Sequence, residues 1–269
     1  MNCADIEKKI VDFIKNYSAG KPLIIGVSGG VDSGVVSTLC AIAGNEVFAL
    51  GLPGCNTKLQ NLNMESQLNF LKKKFSNVKT KIINLSKIRD SFFDALPFEC
   101  SAYSTANMQS RIRMVILYSY ANQYNGLVAG TGNKNEDFIL YFFTKYGDGG
   151  VDFSPIGNLY KSEVFKLASY FKDKYGMPEN VATAIPTDGL WNDGRTDEMQ
   201  LGLTYDKAEF LWKTLLSLNL TGINDLIKLL DDLSFRKKYF KPEDEESLKK
   251  LIKWNLSGRH KSIPPPICE

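Results

Sequence analysis

The stretch Leu23–Cys40, LIIGVSGGVDSGVVSTLC, decides the fold. LIIGVS is a short run rich in β-branched residues, as a buried strand has. Gly29 and Gly30 then break the pattern, and a helical run spans roughly 33–43. A strand that turns through glycines into a helix is the layout of an anion site. The glycines let backbone approach closely, and the helix end offers free N–H groups and the positive end of its dipole. Yet G-x-x-x-x-G-K-[ST] and G-x-G-x-x-G are both absent. No lysine follows the loop; Asp32 stands there instead. A carboxylate beside phosphate is repulsive unless a cation lies between them, so Asp32 points to Mg²⁺. Read without a ligand, the same residues are a tight turn with an acid at a helix N-terminus.

The flanking sequence extends the pattern. CADIEKKIVDFIKNYSAG places Ile6, Ile10, Phe13 and Ile14 at helical spacing and ends at a glycine. EVFALGLP, VKTKIINL and GLVAGT read as strands two to four. Helices near 59–75 and over 105–124 lie between them. This alternation predicts an α/β fold: a doubly wound parallel sheet with helices on both faces. Ligands in such sheets bind at the carboxyl ends of the strands, where GVSGG and AGTG both fall. Beyond GGVDFSPIGN the pattern turns helical, at 159–175, 205–218, 222–231 and 243–254. The expectation is a single domain over 1–269, with an α/β core at about 20–157 and a mainly helical part with a C-terminal tail at 158–269.

Composition excludes several classes. Hydrophobic residues make up 43% and charged residues 23% of 269, ordinary for a globular chain. A formal charge of +3, with basic residues interleaved among acidic ones, does not make a nucleic-acid surface. Five cysteines without C-x-x-C and one histidine argue against a zinc site. Their wide spacing fits a reduced, cytoplasmic chain. No apolar run approaches the about 18 residues of a membrane span, and the N-terminus carries no signal-peptide pattern.

The motif S-G-G-x-D-S resembles the pyrophosphate loop of the ATP pyrophosphatase superfamily, whose fold is adenine nucleotide alpha hydrolase-like and whose members cleave ATP between the α and β phosphates. That loop speaks for the chemistry, not the substrate. Four further stretches occur in order: ANMQSRIRM (106–114), GTGNKNE (130–136), FFTKYGDGGVDFSPIGNLYKSEV (142–164) and PTDGLWNDGRTDEMQLGLTYD (186–206). With the loop they resemble the NAD synthetase family from about Ile24 to Tyr205, and again at RHKSIPPP. The resemblance implies ATP binding by Gly26, Val27, Ser28, Gly29, Gly30, Val31, Asp32, Ser33, Thr131, Lys161 and Thr187. It implies Mg²⁺ at Asp32 and Glu136, and deamido-NAD binding by Arg111, Lys145, Asp152, His260 and Lys261.

Read one by one, several of these residues are unremarkable. Glu136 alone is a first-turn helix acid, Lys161 a helix-surface lysine, Thr187 a turn residue, TKYGDGG a flexible hairpin loop and His260 a solvated tail residue. Two departures stand out: Gly189 in PTDGL, and Cys55 after strand two.

The implied reaction is amidation of deamido-NAD by ammonia with ATP, through an acyl adenylate, to NAD, AMP and pyrophosphate. Glutamine-using relatives carry an extra amidase domain for which 269 residues leave no room. Ammonium must lose a proton, and Asp148 is the candidate acceptor. A homodimer is implied, and the long helix carrying Met114, Ile116, Leu117, Tyr118 and Tyr120 is more apolar than one buried face needs. The tail at Arg259, His260 and Lys261 is expected to be mobile and to close over the dinucleotide. The alternatives are another pyrophosphatase-loop ligase, such as a tRNA thiolase, or a nucleotide sensor without turnover. Paired cysteines and a basic RNA surface are missing for the first; Asp32 and Glu136 speak against the second.

Overall fold

The computed structural model describes residues 2–54, 57–191 and 193–268, so Cys55 lies outside the described residues. Helix α1 (Cys3–Ser18) leads to β1 (Leu23–Gly26), α2 (Val31–Ala43), β2 (Val47–Gly51), α3 (Lys58–Lys74) and β3 (Val78–Ile82). Then come α4 (Ser86–Asp94), α5 (Ala102–Tyr124), β4 (Leu127–Val128) and a π-helix at Lys134–Leu140. The rest is α6 (Lys161–Tyr175), α7 (Glu179–Ala182), α8 (Asp197–Leu201), α9 (Tyr205–Ser217), α10 (Ile223–Asp231), α11 (Leu233–Tyr239), α12 (Glu245–Gly258) and a 3₁₀ turn at Arg259–Lys261.

The strands pair in parallel in the order β3-β2-β1-β4, with Leu23 opposite both Val47 and Leu127. Both sheet faces are buried, which is why LIIG and VFALG read as continuous apolar runs rather than alternating ones. Successive side chains still point to opposite faces. Leu23, Ile25, Val47 and Ala49 join the core under α1, α2 and α6, together with Val35, Leu39, Leu167 and Phe171. Ile24, Phe48 and Leu50 join Ile112 and Ala121 of α5 on the other face. The doubly wound layout expected from the sequence is therefore present. A separate core of Leu211, Trp212, Leu226, Leu229, Leu251 and Ile252 holds the C-terminal helices together and reaches Ile139 and Leu140 of the π-helix.

Three differences from the sequence reading have physical causes. Phe13 is 43% exposed and packs edgewise on Phe153 and beside Tyr17, while Val11 takes the core-facing place. Strand β4 is short because its pairing changes partner. Ala129 N–H donates to Ile24 O, but Gly130 N–H donates to Phe153 O. Helices α4, α7, α8 and α11 and the π-helix are too short or too weakly periodic to show in the sequence. None of the residues of α4 is buried, for instance.

Candidate active site

Helix α2 begins at Val31 with no side-chain cap on its N-terminus. Its first N–H groups are left for a ligand. The loop before it is built by its own serines. Gly30 N–H donates to Ser28 Oγ at 3.2 Å, Ser28 N–H donates to Ser33 Oγ at 3.2 Å, and Ser33 Oγ–H donates to Gly30 O at 3.0 Å. Gly29 has φ +87°, and a Cβ there would meet Met64 N at 2.4 Å. Only glycine fits that position.

A cavity of ≈ 580 Å³ opens over this loop. Residues 26–33 line it together with Thr131, Glu136, Lys161 and Thr187, so the expected nucleotide residues border one cavity, as does Asp148. Thr187 has its hydroxyl engaged. It donates to Arg195 O at 3.1 Å and accepts from Gly189 N–H at 3.3 Å. Gly189 has φ +64°, which accounts for a glycine at that point of the turn.

The centre of the site is an ion triad. Lys161 Nζ lies 2.5 Å from Asp32 Oδ2 and 2.8 Å from Glu136 Oε1. Asn133 Nδ2 donates to Asp32 Oδ1 at 2.9 Å. The same Asn133 accepts through Oδ1 from the N–H groups of Asn135 and Glu136, capping the π-helix that carries Glu136. Burial would lower the Lys161 pKa, but Asp32 and Glu136 outweigh it and hold the ammonium well above its usual range. Burial pushes the Glu136 carboxyl up, with the Asp32 charge adding to it and Lys161 opposing. Burial likewise raises Asp137, beside Glu136, Asp148 and Asp32.

Sequence reading missed two members of this network. Tyr205 donates its hydroxyl at 3.1 Å to Glu136 Oε1 and lies 3.1 Å from Asp197 Oδ2. Burial first, then the Glu136 charge, pushes Asp197 up to about 7. Both lie in the stretch 186–206, but nothing in their spacing tells that they face strand-end carboxylates far upstream.

Asp32 and Glu136 converge on one cation, the Lys161 ammonium. That is the donor set Mg²⁺ takes when a nucleotide brings further oxygens. Among the described residues no group of three or more Asp, Glu, His or Cys could hold a metal, so phosphate and water would complete such a shell. The two residues fit a Mg²⁺ ion in that limited sense.

The expected dinucleotide residues form a second cluster off the cavity wall. Arg111 Nε donates to Lys145 O at 3.3 Å, and Lys145 Nζ donates to His260 O at 2.8 Å. Lys261 Nζ donates to Tyr141 O at 2.9 Å and Phe143 O at 2.8 Å. The tail expected to stand open is thus clamped to the 141–145 segment at His260 and Lys261. His260 itself is exposed, with Nδ1 2.9 Å from Ser257 O. Asp152 sits apart from this cluster. Its carboxylate accepts from Tyr118 Oη at 3.2 Å and from Val128 N–H at 2.7 Å, so it fastens α5 to β4. Asp148 accepts through Oδ1 from Ser110 Oγ at 2.7 Å and Thr144 N–H at 2.9 Å. TKYGDGG is therefore a pinned turn rather than a free hairpin.

The family model described as NAD synthase matches residues 3–260. The chain is 36% identical over 273 residues to the NH3-dependent NAD⁺ synthetase of Archaeoglobus fulgidus, covering 100% of this chain and 98% of that protein. Among solved structures it is similar to an NMN synthetase from Francisella tularensis, with a TM-score of 0.78 at 28% identity over 100% and 99% of the two chains. It is also similar to the NH3-dependent NAD synthetase from Campylobacter jejuni in complex with the nitrate ion, with a TM-score of 0.72 at 30% identity over 100% of both chains. No helix of the described residues is long and apolar enough to cross a membrane.

Proposed function

The chain belongs to the NAD synthase family, and on that premise we propose that it is a ligase that amidates deamido-NAD with ammonia, consuming ATP and releasing NAD, AMP and pyrophosphate. The observation that carries the reading is the uncapped N-terminus of α2, set beside the Lys161–Asp32–Glu136 triad in one cavity.

The chemistry follows from these groups. The nicotinate carboxylate of deamido-NAD attacks the α-phosphorus of ATP, the α–β bridging bond breaks, and pyrophosphate leaves. The N–H groups of Gly29 and the first turn of α2 take the charge of the departing pyrophosphate. Lys161, released from its carboxylates, adds a positive charge to the phosphates. Thr131 and Thr187 orient the nucleotide. Asp32 and Glu136 are the residues that would hold Mg²⁺, which when bound neutralises polyphosphate charge. Ammonium gives a proton to Asp148, ammonia attacks the acyl carbon, and AMP departs. Arg111, Lys145, Asp152, His260 and Lys261 are assigned to the dinucleotide.

We also assign a homodimer and a cytoplasmic location. Tyr103 (69% exposed) and Val115 (57%) of α5 are exposed apolar side chains that a second copy would cover. A second substrate reading, nicotinate mononucleotide in place of deamido-NAD, is favoured by the likeness to the Francisella NMN synthetase. The test is one assay with two arms. The protein is given ATP, Mg²⁺ and ammonium with either deamido-NAD or nicotinate mononucleotide, and products are separated. NAD with AMP and pyrophosphate supports the main reading. Preference for the mononucleotide replaces it with the second, and ADP with phosphate from either arm rejects both.

A further inference from the structure

Asp197 is a carboxylate of the network around Lys161 to which the proposed reaction gives no task. Asp197 opens α8, is 4% exposed and borders the cavity. Its Oδ1 is buried and has no hydrogen-bond partner among the described residues. Its Oδ2 lies 3.1 Å from Tyr205 Oη, and the same hydroxyl lies 3.1 Å from Glu136 Oε1. A phenol carries one proton, so it donates to one of these carboxylates at a time. Tyr205 is itself fixed. It is buried, its N–H donates to Glu198 Oε1 at 2.8 Å, and Thr204 caps the helix it opens. The ring cannot follow Glu136 if that side chain turns.

We propose that Asp197 and Tyr205 are positioning residues for Glu136, the Tyr205 hydroxyl being donated to Glu136 while that carboxylate pairs with Lys161, and to Asp197 when Glu136 turns to a divalent cation. This role presupposes that Glu136 is a cation ligand, as in the proposed function. The physical ground is the cost of a buried hydroxyl without an acceptor. When Glu136 leaves, Asp197 Oδ2 already lies within hydrogen-bond distance, so the hydroxyl is never stranded. Without Asp197, freeing Glu136 strands it. Without the Tyr205 hydroxyl, Asp197 has no link to Glu136. The two side chains therefore act as one unit, and their deletions do not add.

The test reads binding without turnover. Mg²⁺ is titrated into the full chain with a saturating non-hydrolysable ATP analogue, and the rise in thermal midpoint gives an apparent Mg²⁺ constant. Asp197→Leu, which removes the alternative acceptor, is expected to weaken that constant about five- to tenfold, within the range of ordinary coupling energies, whereas Tyr205→Phe, which leaves no hydroxyl to strand, should not weaken it. Analogue affinity at saturating Mg²⁺ should stay unchanged. The double variant is expected to match Tyr205→Phe alone.

Glu136→Gln separates the layers of the inference. If it weakens Mg²⁺ binding and Asp197→Leu does not, the positioning role is overturned while the ligand role stands. If Glu136→Gln has no effect, the ligand role falls and the positioning role with it. A double variant weakened as much as Asp197→Leu alone would show Asp197 acting without the Tyr205 hydroxyl and overturn the relay. A lower midpoint of Asp197→Leu without Mg²⁺, with an unchanged Mg²⁺ constant, would make the pair merely structural and overturn it too. Should Tyr205→Phe fail to fold, Asp197→Leu against wild type still decides.

Discussion

Lys161 and Asp32 stand 129 positions apart in the chain, yet their charged atoms meet at 2.5 Å. Lys161 opens α6 and Asp32 the first turn of α2, and the two helices pack on the same sheet face. Glu136 completes the triad from beyond β4. The cation thus sits where strand-end loops converge. Removing it leaves two carboxylates facing each other in a water-poor place.

Lys161→Met is therefore expected to destabilise the fold as well as to abolish turnover. Breaking a buried ion pair by removing one partner costs about 3–5 kcal/mol. Chemical denaturation measures this directly. A variant of wild-type stability would show that the carboxylates relax into solvent and that the triad does not hold the helices together. Lys161→Arg should recover stability more than activity, because its planar head cannot reproduce a point charge between two carboxylates.

The glycines of the opening loop should separate folding from chemistry. Gly29→Ala puts a Cβ against Met64 N at 2.4 Å and a side chain at φ +87°. We expect a loss of more than ~2 kcal/mol, the strain and the clash acting together. Gly30 has φ −80°, and its added Cβ would stand 3.4 Å from Ser28 Oγ, an ordinary contact. Gly30→Ala should fold with a nearly unchanged Tm but raise the KM for ATP, since the methyl narrows the approach to the N–H groups. Equal stability losses in both variants would contradict this.

The parts of this site that the sequence revealed and hid differ by range. LIIG was legible because both its faces are buried, and α2 because glycines and a helical run follow at once. Asp32, Glu136 and Lys161 were legible as residue types in motifs. That the lysine bridges the two acids was not, because their meeting depends on three separate crossovers. The π-helix carrying Glu136 left no period to find, since Asn133 and the positive φ of Tyr141 set its ends. Asp152 enters the dinucleotide set through the family resemblance alone. Its tie to Val128 N–H and Tyr118 depends on the shortness of β4, which no local pattern records.

Asp197 makes stability depend on pH. Its folded pKa is raised from 3.8 to about 7 by burial, with the Glu136 and Asp188 charges adding and Lys161 and the Tyr205 hydroxyl opposing. Between these two values the folded state holds a proton that the unfolded state has lost. This contribution is full below pH ~4, falls as the pH rises through ~7, and is flat above. At about 1.4 kcal/mol per unit it amounts to at most ~4 kcal/mol. Asp197→Asn cannot ionise, so its Tm relative to wild type should climb between pH 5 and pH 8. A constant difference across that range would place the carboxyl at its ordinary value.

The tail gives the last expectation, and the structure divides it into two parts. Arg259 donates to Asn255 Oδ1 at 2.8 Å and to Thr221 O at 3.1 Å, and Lys261 serves the carbonyls of Tyr141 and Phe143. Burial lowers the Lys261 pKa, as expected of an ammonium drawn off the surface. Beyond it, residues 263–268 are all exposed, Ile267 at 89%. Deleting 263–269 should therefore leave Tm unchanged. Deleting from Gly258 onward should lower it, because the three backbone carbonyls of Thr221, Tyr141 and Phe143 and the end of α12 lose their partners, at about 1–3 kcal/mol for each buried acceptor left unpaired. Lys261→Met tests the clamp alone. It should raise the KM for the dinucleotide more than that for ATP, because the 141–145 segment that carries Lys145 is freed while the α2 loop is not. Equal changes in both KM values would mean that the tail steadies the whole cavity rather than the substrate cluster.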